Sequence, residues 1–489
     1  MEPKIIIPNA PILIESTRSI GYSFEAALAD IIDNSISANA TDVNIFYSSL
    51  TPMYLAVVDN GDGMSKDELI SAMRYGSKNP LLDRDAKDLG RFGLGLKTAS
   101  LSQCRKVTVI TKQDEELFAA CWDIDYISET NDWTLKLFDS SEAKTITGYS
   151  YLNDYKNGTV VLWEKFDRLI DKAKNQQKDF DEKVKFSKEH VALVFHRYLN
   201  ANSRNHINIF FNNSKVVPVD PYLTDNPATQ PMPEQQIRIA GGTIKVKAYI
   251  LPFASKVSNS DKKKLGKLAD LRQNQGFYIY RNQRLIIWGS WFHLVKTREL
   301  NKLARIQVDV PNSLDYLWDI DVKKSRASLP DVMKEPLKNI VQSSIARSEK
   351  VYKYRGRSES SDNIMHVWET IDNRGAIEFK VNRELPLFQK LEDELDDAHA
   401  KDLELLLQTI EMAFPYGSVY YHMAKEENTV KAEKLSFDDA YAMAVEHIEA
   451  YKKMNLGPVE GCILALSSSE LFIEYPDVIR KIKEVYGND

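Results

Sequence analysis

Asp30 and Asn34 lie four residues apart in the segment Ser23–Ser37, where apolar residues recur with the period of a helix. On a helix, their side chains would lie together at the edge of the apolar face, and Ser23 occupies the expected N-cap position. An amide oxygen can bind a hard cation such as Mg²⁺, and a carboxylate can deprotonate a water molecule. A surface helix with a solvated polar face has the same pattern, so the segment alone leaves both interpretations open.

A second acidic group follows a predicted strand. The apolar stretch at residues 53–58 runs directly into the segment DNGDGM at residues 59–64. This order predicts a tight turn with the Asp59 carboxylate at the end of a buried strand. A plain hairpin turn also commonly contains Asp-Gly, so the turn by itself does not indicate a binding site.

A glycine-rich segment, GRFGLGLKTAS at residues 90–100, precedes a short predicted helix. Glycines at the start of a helix allow backbone N–H groups to surround an anion at its positive end. Lys97 and Thr98 could add a charge and a hydroxyl group. The segment is not a Walker A loop, because Leu96 separates the last glycine from the lysine. The polar residues 76–88 before it predict a long mobile loop, and loops of that length are usually functional or disordered.

These three segments, in this order, resemble the GHKL (Bergerat-fold) ATPase superfamily, which includes DNA gyrase, heat-shock chaperones, MutL-type repair proteins, histidine kinases and MORC proteins. The stretches ALADIIDNSISANA and GRFGLGLKTAS are most similar to the MORC and MutL-like branch, and FKVNRELPLF at residues 379–388 is similar to the bacterial type of that branch. The resemblance covers roughly residues 10–170. It implies an α/β fold of the α+β sandwich type: an ATPase domain with a mixed sheet, a β-α transducer domain and a helical C-terminal region.

The resemblance implies ATP and Mg²⁺ as cofactors and gives a role to each matching position. Asn34 is expected to bind Mg²⁺, and Asp59 to accept a hydrogen bond from the adenine amino group. Gly63 would let the backbone approach the base, Thr159 would contact the nucleotide near the base, and residues 76–92 would form the ATP lid. The other expected nucleotide-binding residues are Gly61, Met64, which would pack on the base, Gly90, Arg91, Phe92, and the residues that would wrap the phosphates: Gly93, Leu94, Gly95, Leu96, Lys97 and Thr98.

Asp30 stands where the hydrolytic branches of the superfamily usually carry a glutamate. Aspartate is one methylene shorter, and a displacement of about 1 Å can cost about 100-fold in rate, so hydrolysis is expected to be slow unless the helix compensates. Glu25 lies about 140° away on the helical wheel, and Asp33 is expected to point further toward solvent. We therefore predict Asp30 as the base of a Mg²⁺-dependent ATPase. A nucleotide-binding interaction module with little or no hydrolysis is the alternative.

The resemblance continues into a second predicted domain. Residues 276–286 predict strand, turn and strand, and their text YIYRNQRLI is similar to the transducer domain of MutL and MORC proteins. The segment DIDVKKSRAS at residues 319–328 resembles the loop from which a transducer lysine reaches the γ-phosphate. Lys323 or Lys324 is then the catalytic lysine, and an exposed basic turn is the alternative.

The chain is expected to have four parts. Residues 1–20, interrupted by two prolines, predict an extended N-terminal arm. The ATPase domain is expected at residues 21–175, the transducer domain at 176–345, and a linker with a helical C-terminal domain at 346–489.

Composition limits the setting in which such a protein would act. The 489 residues carry a net charge of −6 and three widely spaced cysteines, which argues against general nucleic-acid coating and fits a reducing cytoplasm. No apolar run approaches the about 20 residues of a membrane span. The basic insertion at residues 256–267 is expected to be a mobile loop that contacts DNA phosphates or is simply solvated. A histidine kinase is disfavoured, since no histidine precedes His190.

By resemblance, the chain is expected to form a homodimeric clamp on binding ATP. The expected setting is DNA transactions or antiviral (anti-phage, restriction-type) defence, with nuclease or helicase proteins as further partners and no membrane.

Overall fold

The protein is described by a computed structural model that divides into two compact units, Met1–Tyr354 and Arg355–Asp489. The described residues are 3–4, 8–19, 21–75, 95–168, 175–239, 241–253, 256–298, 301–315, 317, 329–353, 367–373, 376–419, 435–455, 457–469, 472 and 475–487.

A mixed sheet forms the centre of the N-terminal part of the first unit. Its strands are β1 Asp42–Ser48, β2 Tyr54–Asp59, β3 Lys106–Gln113, β4 Glu116–Asp123, β5 Lys136–Phe138, β6 Gly158–Glu164, β7 Asn208–Phe211 and β8 Ser214–Lys215. They lie in the order β5-β4-β3-β6-β2-β1-β7-β8, with β1 and β7 parallel and β2 antiparallel to β1 and β6. The expected mixed sheet is confirmed, and strands β7 and β8 extend it with residues from beyond position 175.

Helices lie on both faces of this sheet. They are α1 Ala10–Arg18, α2 Phe24–Ser37, α3 Lys66–Met73, α4 Ser100–Gln103, α5 Ile124–Thr130, α6 Ser140–Ala143, α7 Gln176–Val194 and α8 His196–Leu199. The apolar face of α2 is at most 1% exposed at Ala27, Leu28, Ile31 and Ile32 and belongs to one core with Val57 of β2. Because side chains alternate along a strand, Ala56 and Val58 face the opposite side, where they pack with α6.

The prediction of an extended arm over residues 1–20 is wrong, because residues 10–18 form α1. Asn9 caps this helix by accepting a hydrogen bond from the N–H of Ile12 at 3.1 Å. Pro11 lies in the first turn, where a missing N–H costs nothing. Ile14 is fully buried, and Arg18, 2% exposed, donates to the carbonyl of Leu101 at 2.6 Å. The prolines therefore start the helix instead of preventing it.

A second sheet follows in the same unit. Its strands are β9 Gln230–Pro231, β10 Gln235–Ile239, β11 Gly242–Ile250, β12 Gly276–Arg281, β13 Arg284–Ser290 and β14 Ala304–Val310. The order is β10-β11-β14-β12-β13, and β9 pairs with β11. Strands β12 and β13 form the predicted hairpin, and β14 runs parallel to β12.

Two helices accompany the second sheet: α9 Asn259–Leu265 and α10 Asp331–Lys353. The helix α10 packs on the sheet through Met333, Leu337 and Val341, which are all fully buried. The expected loop at 256–267 contains α9, so the loop prediction is wrong. Ser258 caps this helix, and its Oγ accepts the N–H of Asp261 at 3.0 Å.

The second unit is mainly helical, as predicted. It contains the helices Pro386–Glu394, Asp397–Met412, Phe437–Lys453, Val459–Ser468 and Pro476–Tyr486, together with a hairpin of strands Trp368–Asn373 and Ala376–Val381 that the sequence pattern did not indicate. Its core includes Ala444, Ile448, Leu466 and Ile482, each fully buried. In the described part of the chain, no helix combines the length and apolar character needed to cross a membrane.

Candidate functional site

Helix α2 places the first two predicted site residues at the edge of the first sheet. The Oγ of Ser23 accepts the N–H of Ala26 at 3.3 Å, which fixes the start of the helix as the sequence predicted. Since the apolar face is buried against the sheet, the face that carries Asp30 and Asn34 lies at the border of the core. Asp30 is 6% exposed, whereas Asn34 is exposed.

The Asp30 carboxylate makes contacts through both of its oxygens. Its Oδ2 accepts a hydrogen bond from the Tyr22 hydroxyl at 3.1 Å, and its Oδ1 accepts one from Arg284 Nη2 at 3.4 Å. Oδ2 also lies 4.0 Å from the position that a Cβ on Gly95 would occupy. The predicted base and the described start of the glycine-rich turn are therefore neighbours in space.

The expectation that Asp33 points toward solvent is wrong. Asp33 is fully buried, and its Oδ1 forms an ion pair with Arg284 Nε at 2.8 Å. The reason is that Arg284, the first residue of β13, lies over this face of α2, which a helical wheel drawn from the sequence could not show.

Asp59 lies at the end of β2 and is 5% exposed. The Ser35 hydroxyl donates to its Oδ2 at 2.8 Å, and the Gly61 N–H donates to its Oδ1 at 3.0 Å. Burial raises the pKa of Asp59 to about 6, while the hydrogen bonds from Ser35 and from the backbone at Gly61 and Thr159 oppose this shift. Thr159 is the direct partner of Asp59 across strands β2 and β6. This arrangement holds the Asp59 carboxylate where it can accept a hydrogen bond from an amine.

Thr111 of β3 connects the DNGDGM turn to Thr159. Its Oγ1 accepts the N–H of Met64 at 2.8 Å, lies 3.4 Å from the Thr159 hydroxyl oxygen, and lies 3.3 Å from the Gly158 carbonyl oxygen. Thr111 is fully buried. The predicted base-contacting residues Met64 and Thr159 are therefore held by one hydroxyl group.

Two glycines of this turn are required by the protein's own packing. A Cβ on Gly61 would lie 2.6 Å from the Ala38 carbonyl oxygen at the end of α2. A Cβ on Gly63 would lie 2.1 Å from the Lys112 carbonyl oxygen, and Gly63 has a φ of +70°. These contacts lock the turn between α2 and β3.

The glycine-rich segment has a different environment. Gly95–Ala99 forms one turn of π-helix that leads into α4, and such turns are frequent at functional sites. Apart from the chain neighbours of Gly95 and the backbone of its own helical turn, Asp30 Oδ2 is the one heavy atom of the described residues within 4 Å of the position that a Cβ on Gly95 would take. The described protein atoms therefore leave space beside this backbone, as the close approach of an anion would require. Thr98 in the same turn is 5% exposed, and Leu96 packs at the edge of the core.

Lys97 is bound within the protein. Its side chain is 2% exposed, and its Nζ donates to the carbonyl oxygens of Ala72 at 2.8 Å and Arg74 at 2.9 Å. These carbonyls end α3, where a cation is favourable. Contact of this ammonium group with a phosphate stays a prediction.

Several predicted site residues lie outside the described residues. They are the predicted lid at residues 76–92, together with Gly90, Arg91, Phe92, Gly93, Leu94, Lys323 and Lys324.

Helix α2 joins the two parts of the site. Asp30 lies beside Gly95, and Ser35 donates a hydrogen bond to Asp59. Ser35 follows Asp30 by five residues, which is a rise of about 7.5 Å along the helix axis. Sequence reasoning missed Ser35, Tyr22, Thr111 and Arg284. Ser35 had one available signal, since it directly follows Asn34 in the pattern. The other three contacts depend on the tertiary fold.

The described residues contain no cluster of three or more His, Cys, Asp or Glu side chains suited to hold a metal ion. The side chain of Asn34 would supply a single oxygen ligand. Mg²⁺ commonly keeps several waters and binds through one or two protein ligands together with substrate phosphates, so a single asparagine fits a metal that arrives with a nucleotide.

Part of the chain is similar to a known protein family. Residues 22–159 match the family described as histidine kinase-, DNA gyrase B-, and HSP90-like ATPase. Similar curated proteins include ATPase MORC2B of Mus musculus, 30% identical over 106 residues, and DNA mismatch repair protein MLH1 of Saccharomyces cerevisiae, 33% identical over 140 residues. These matches cover 21% and 28% of this chain, but only 10% and 16% of the two relatives.

ATPase morc-1 of Caenorhabditis elegans is 29% identical over 90 residues, which are 18% of this chain and 10% of that protein. A solved structure described as the N terminal domain of a DNA repair protein aligns with 70% of this chain and 98% of its own, at 16% identity and a TM-score of 0.43.

Proposed function

We propose that this chain is an ATP-dependent molecular switch, because residues 22–159 match the histidine kinase-, DNA gyrase B-, and HSP90-like ATPase family and similar curated proteins include a MORC ATPase and MLH1. ATP and Mg²⁺ are the cofactors in this proposal, and hydrolysis of ATP is the reaction. The likeness covers a small part of each relative, so activity and partners are inferred here from the site.

One observation carries the proposal: α2 contacts both a buried strand-end carboxylate and a glycine turn beside which the described residues leave space. Asp59, with its partners Ser35 and Thr159, offers a fixed acceptor for an exocyclic amine. At the other end, the space beside Gly95 can admit a phosphate group next to Asp30. The two ends are separated by a rise of about 7.5 Å along the axis of α2, so a ligand that reaches both must be elongated, as a nucleotide is.

The residues then divide the work as follows. Asp59 selects the adenine amino group, and Asn34 supplies one ligand to Mg²⁺, which neutralises phosphate charge when bound. The backbone of Gly93–Thr98 donates to the phosphates, and Lys323 or Lys324 contacts the γ-phosphate. Asp30 orients and deprotonates the attacking water.

A second candidate function is a nucleotide-binding interaction module with little hydrolysis. The contacts of Asp30 favour it, because Oδ1 accepts from Arg284 and Oδ2 from Tyr22, which leaves less of the carboxylate available to a water molecule. Aspartate at this position also reaches less far than glutamate.

Measuring ATP binding and turnover separately for the parent and for Asp30→Ala distinguishes the two functions. The ATPase proposal expects steady turnover by the parent, a fall of about 100-fold or more in kcat for Asp30→Ala, and an unchanged Kd for ATP. Turnover that is absent in the parent, or unaltered in Asp30→Ala, would leave the binding module. Absence of ATP binding by the parent would contradict both.

We further propose that ATP binding drives homodimerisation, and that the clamp acts on DNA in repair-like transactions or defence. A ligand can drive such a change only if it binds the closed dimer more tightly than the open monomer. Light scattering with a non-hydrolysable ATP analogue and Mg²⁺ is expected to show a doubled mass. A monomer under both conditions would contradict the clamp.

The lysines of α9 are the proposed DNA contact. Lys262, Lys263 and Lys264 are exposed side by side on this helix. Changing all three to Gln is expected to weaken DNA binding uniformly across sequences and to reduce the slope of log affinity against log salt by up to about 3. An unchanged slope would remove α9 from the interface.

A further inference from the structure

Arg284 joins the second sheet to the helix that carries the predicted base. It is the first residue of β13, lies 254 positions from Asp30 in the chain, and has a side chain that is 6% exposed. Its Nε pairs with Asp33 Oδ1 at 2.8 Å, its Nη2 with Asp30 Oδ1 at 3.4 Å, and its guanidinium carbon lies 5.6 Å from the centre of the Phe195 ring.

The two carboxylates have different roles toward this arginine. Asp33 is fully buried and is the closer partner, so it anchors the guanidinium group together with Phe195. The planar, rigid fork of arginine then presents a second nitrogen toward Asp30. A lysine, which carries a compact charge on a flexible stem, could pair with one of the two carboxylates but could not hold both in a fixed geometry.

The orientation of Asp30 follows from these contacts. Arg284 holds Oδ1, so Oδ2 is directed to the side where Tyr22 and Gly95 lie. This is the side on which the proposed function places the phosphates. A short side chain has little freedom to correct its own position, and the position of Asp30 therefore depends on a residue of the second sheet.

We propose that Arg284 is a positioning residue, which orients Asp30 for hydrolysis and couples this step to the position of the second sheet. The inference rests on the proposed ATPase function and deepens it. Any shift of β13 relative to α2 would displace the guanidinium group and change the direction of the Asp30 carboxylate, so movement in one part of the unit would alter turnover in the other.

Arg284→Lys tests this proposal, because it keeps the charge and removes the fork. We expect kcat to fall about 10- to 100-fold, as for a misplacement of about 1 Å, while KM and the separately titrated Kd for ATP stay near the parent values. Asp33→Asn should also lower kcat, since it loosens the anchor. The double variant should fall no further than the more affected single variant, because both changes act through one contact.

Arg281→Lys is the matched control. Arg281 lies on the same hairpin, its side chain is also 6% exposed, and it pairs with Asp315 of its own region at 2.6 Å. This variant should keep the parent kcat. A parent kcat in Arg284→Lys, or an equal loss in Arg281→Lys, would overturn the positioning role while leaving the ATPase intact. A parent that binds ATP without turnover would overturn hydrolysis as the proposed reaction and this inference with it, whereas a parent that binds no ATP would overturn the nucleotide-binding alternative as well.

Discussion

The two ends of the site differ in how completely the protein builds them. At the Asp59 end, side chains and backbone of α2, β2, β3 and β6 hold the carboxylate and the adjoining turn in place through hydrogen bonds and strand pairing. At the Gly95 end, the described atoms leave space beside the backbone, and the nearby ammonium group of Lys97 is bound to the end of α3. We infer that the first end is preformed for its ligand, whereas the second is completed when phosphates bind.

Replacing Asp59 with Asn should cause the largest effect. The carboxylate acceptor would become a neutral amide whose NH₂ group would face the adenine amine, and a site built for one hydrogen bond strongly rejects a mismatched group. We expect the affinity for ATP, measured by calorimetric titration, to fall about 1,000-fold or more. Ser102→Ala, a change of a buried hydroxyl in α4, is a control that should bind ATP normally. If Asp59→Asn keeps the affinity of the parent for ATP, this end of the site does not recognise the adenine base.

The same variant should reveal the cost of a buried carboxylate. The pKa of Asp59 is about 6 in the folded state, above the 3.8 of an unperturbed carboxyl. The folded protein therefore favours the protonated carboxyl. The stability that this preference contributes is fully present below pH about 3.8 and is lost as the pH rises through about 6. Asn stays neutral. At pH 8 without ligand, Asp59→Asn should therefore raise the free energy of unfolding by up to about 3 kcal/mol, and the gain should shrink toward pH 4. A difference that is constant with pH would contradict the burial argument.

Alanine at Gly63 and at Gly95 should separate folding from binding. At Gly63, a positive φ and the Lys112 carbonyl oxygen at 2.1 Å predict a loss of about 1–3 kcal/mol of stability or more. At Gly95, the described atoms leave room for a Cβ, so the free energy of unfolding should stay near the parent value. The affinity for ATP should fall about 10-fold, because the phosphates would approach the backbone less closely. Denaturant unfolding and ATP titration of both variants give the comparison. Equal unfolding effects at the two glycines would remove the distinction between the ends.

Lys97→Met should destabilise the free protein less than Gly63→Ala does. It leaves the buried carbonyls of Ala72 and Arg74 without this donor, which predicts a loss of about 1–2 kcal/mol in the free energy of unfolding. If the ammonium group also moves to the phosphates, the stabilisation that saturating ATP confers on the parent should be smaller in the variant. Equal ATP-induced stabilisation in parent and variant would restrict Lys97 to its structural contact.

Local patterns predicted the elements that carry the site. The 3.6-residue period and the Ser23 cap indicated α2. The apolar run at residues 53–58, followed by DNGDGM, indicated β2 and its turn. These signals are short-range, because caps, periods and turns depend on residues a few positions apart.

The errors arose where position in space decided the outcome. Pro11 was read as a breaker but lies in the first turn of α1, and the basic insertion contains a capped helix. The burial of Asp33 depends on Arg284, which belongs to a different sheet. No helical period can reveal a partner that is 251 positions away, so the coupling of the two sheets could be found only in the folded structure.

The most direct test of the central claim is a calorimetric titration of the full chain with ATP and Mg²⁺, repeated with Asp59→Asn and Gly95→Ala. The account predicts one saturable site per chain, a loss of binding in Asp59→Asn and a weaker but measurable affinity in Gly95→Ala. Absence of binding by the parent at millimolar ATP, or parent-like affinity in both variants, would contradict a triphosphate held along α2.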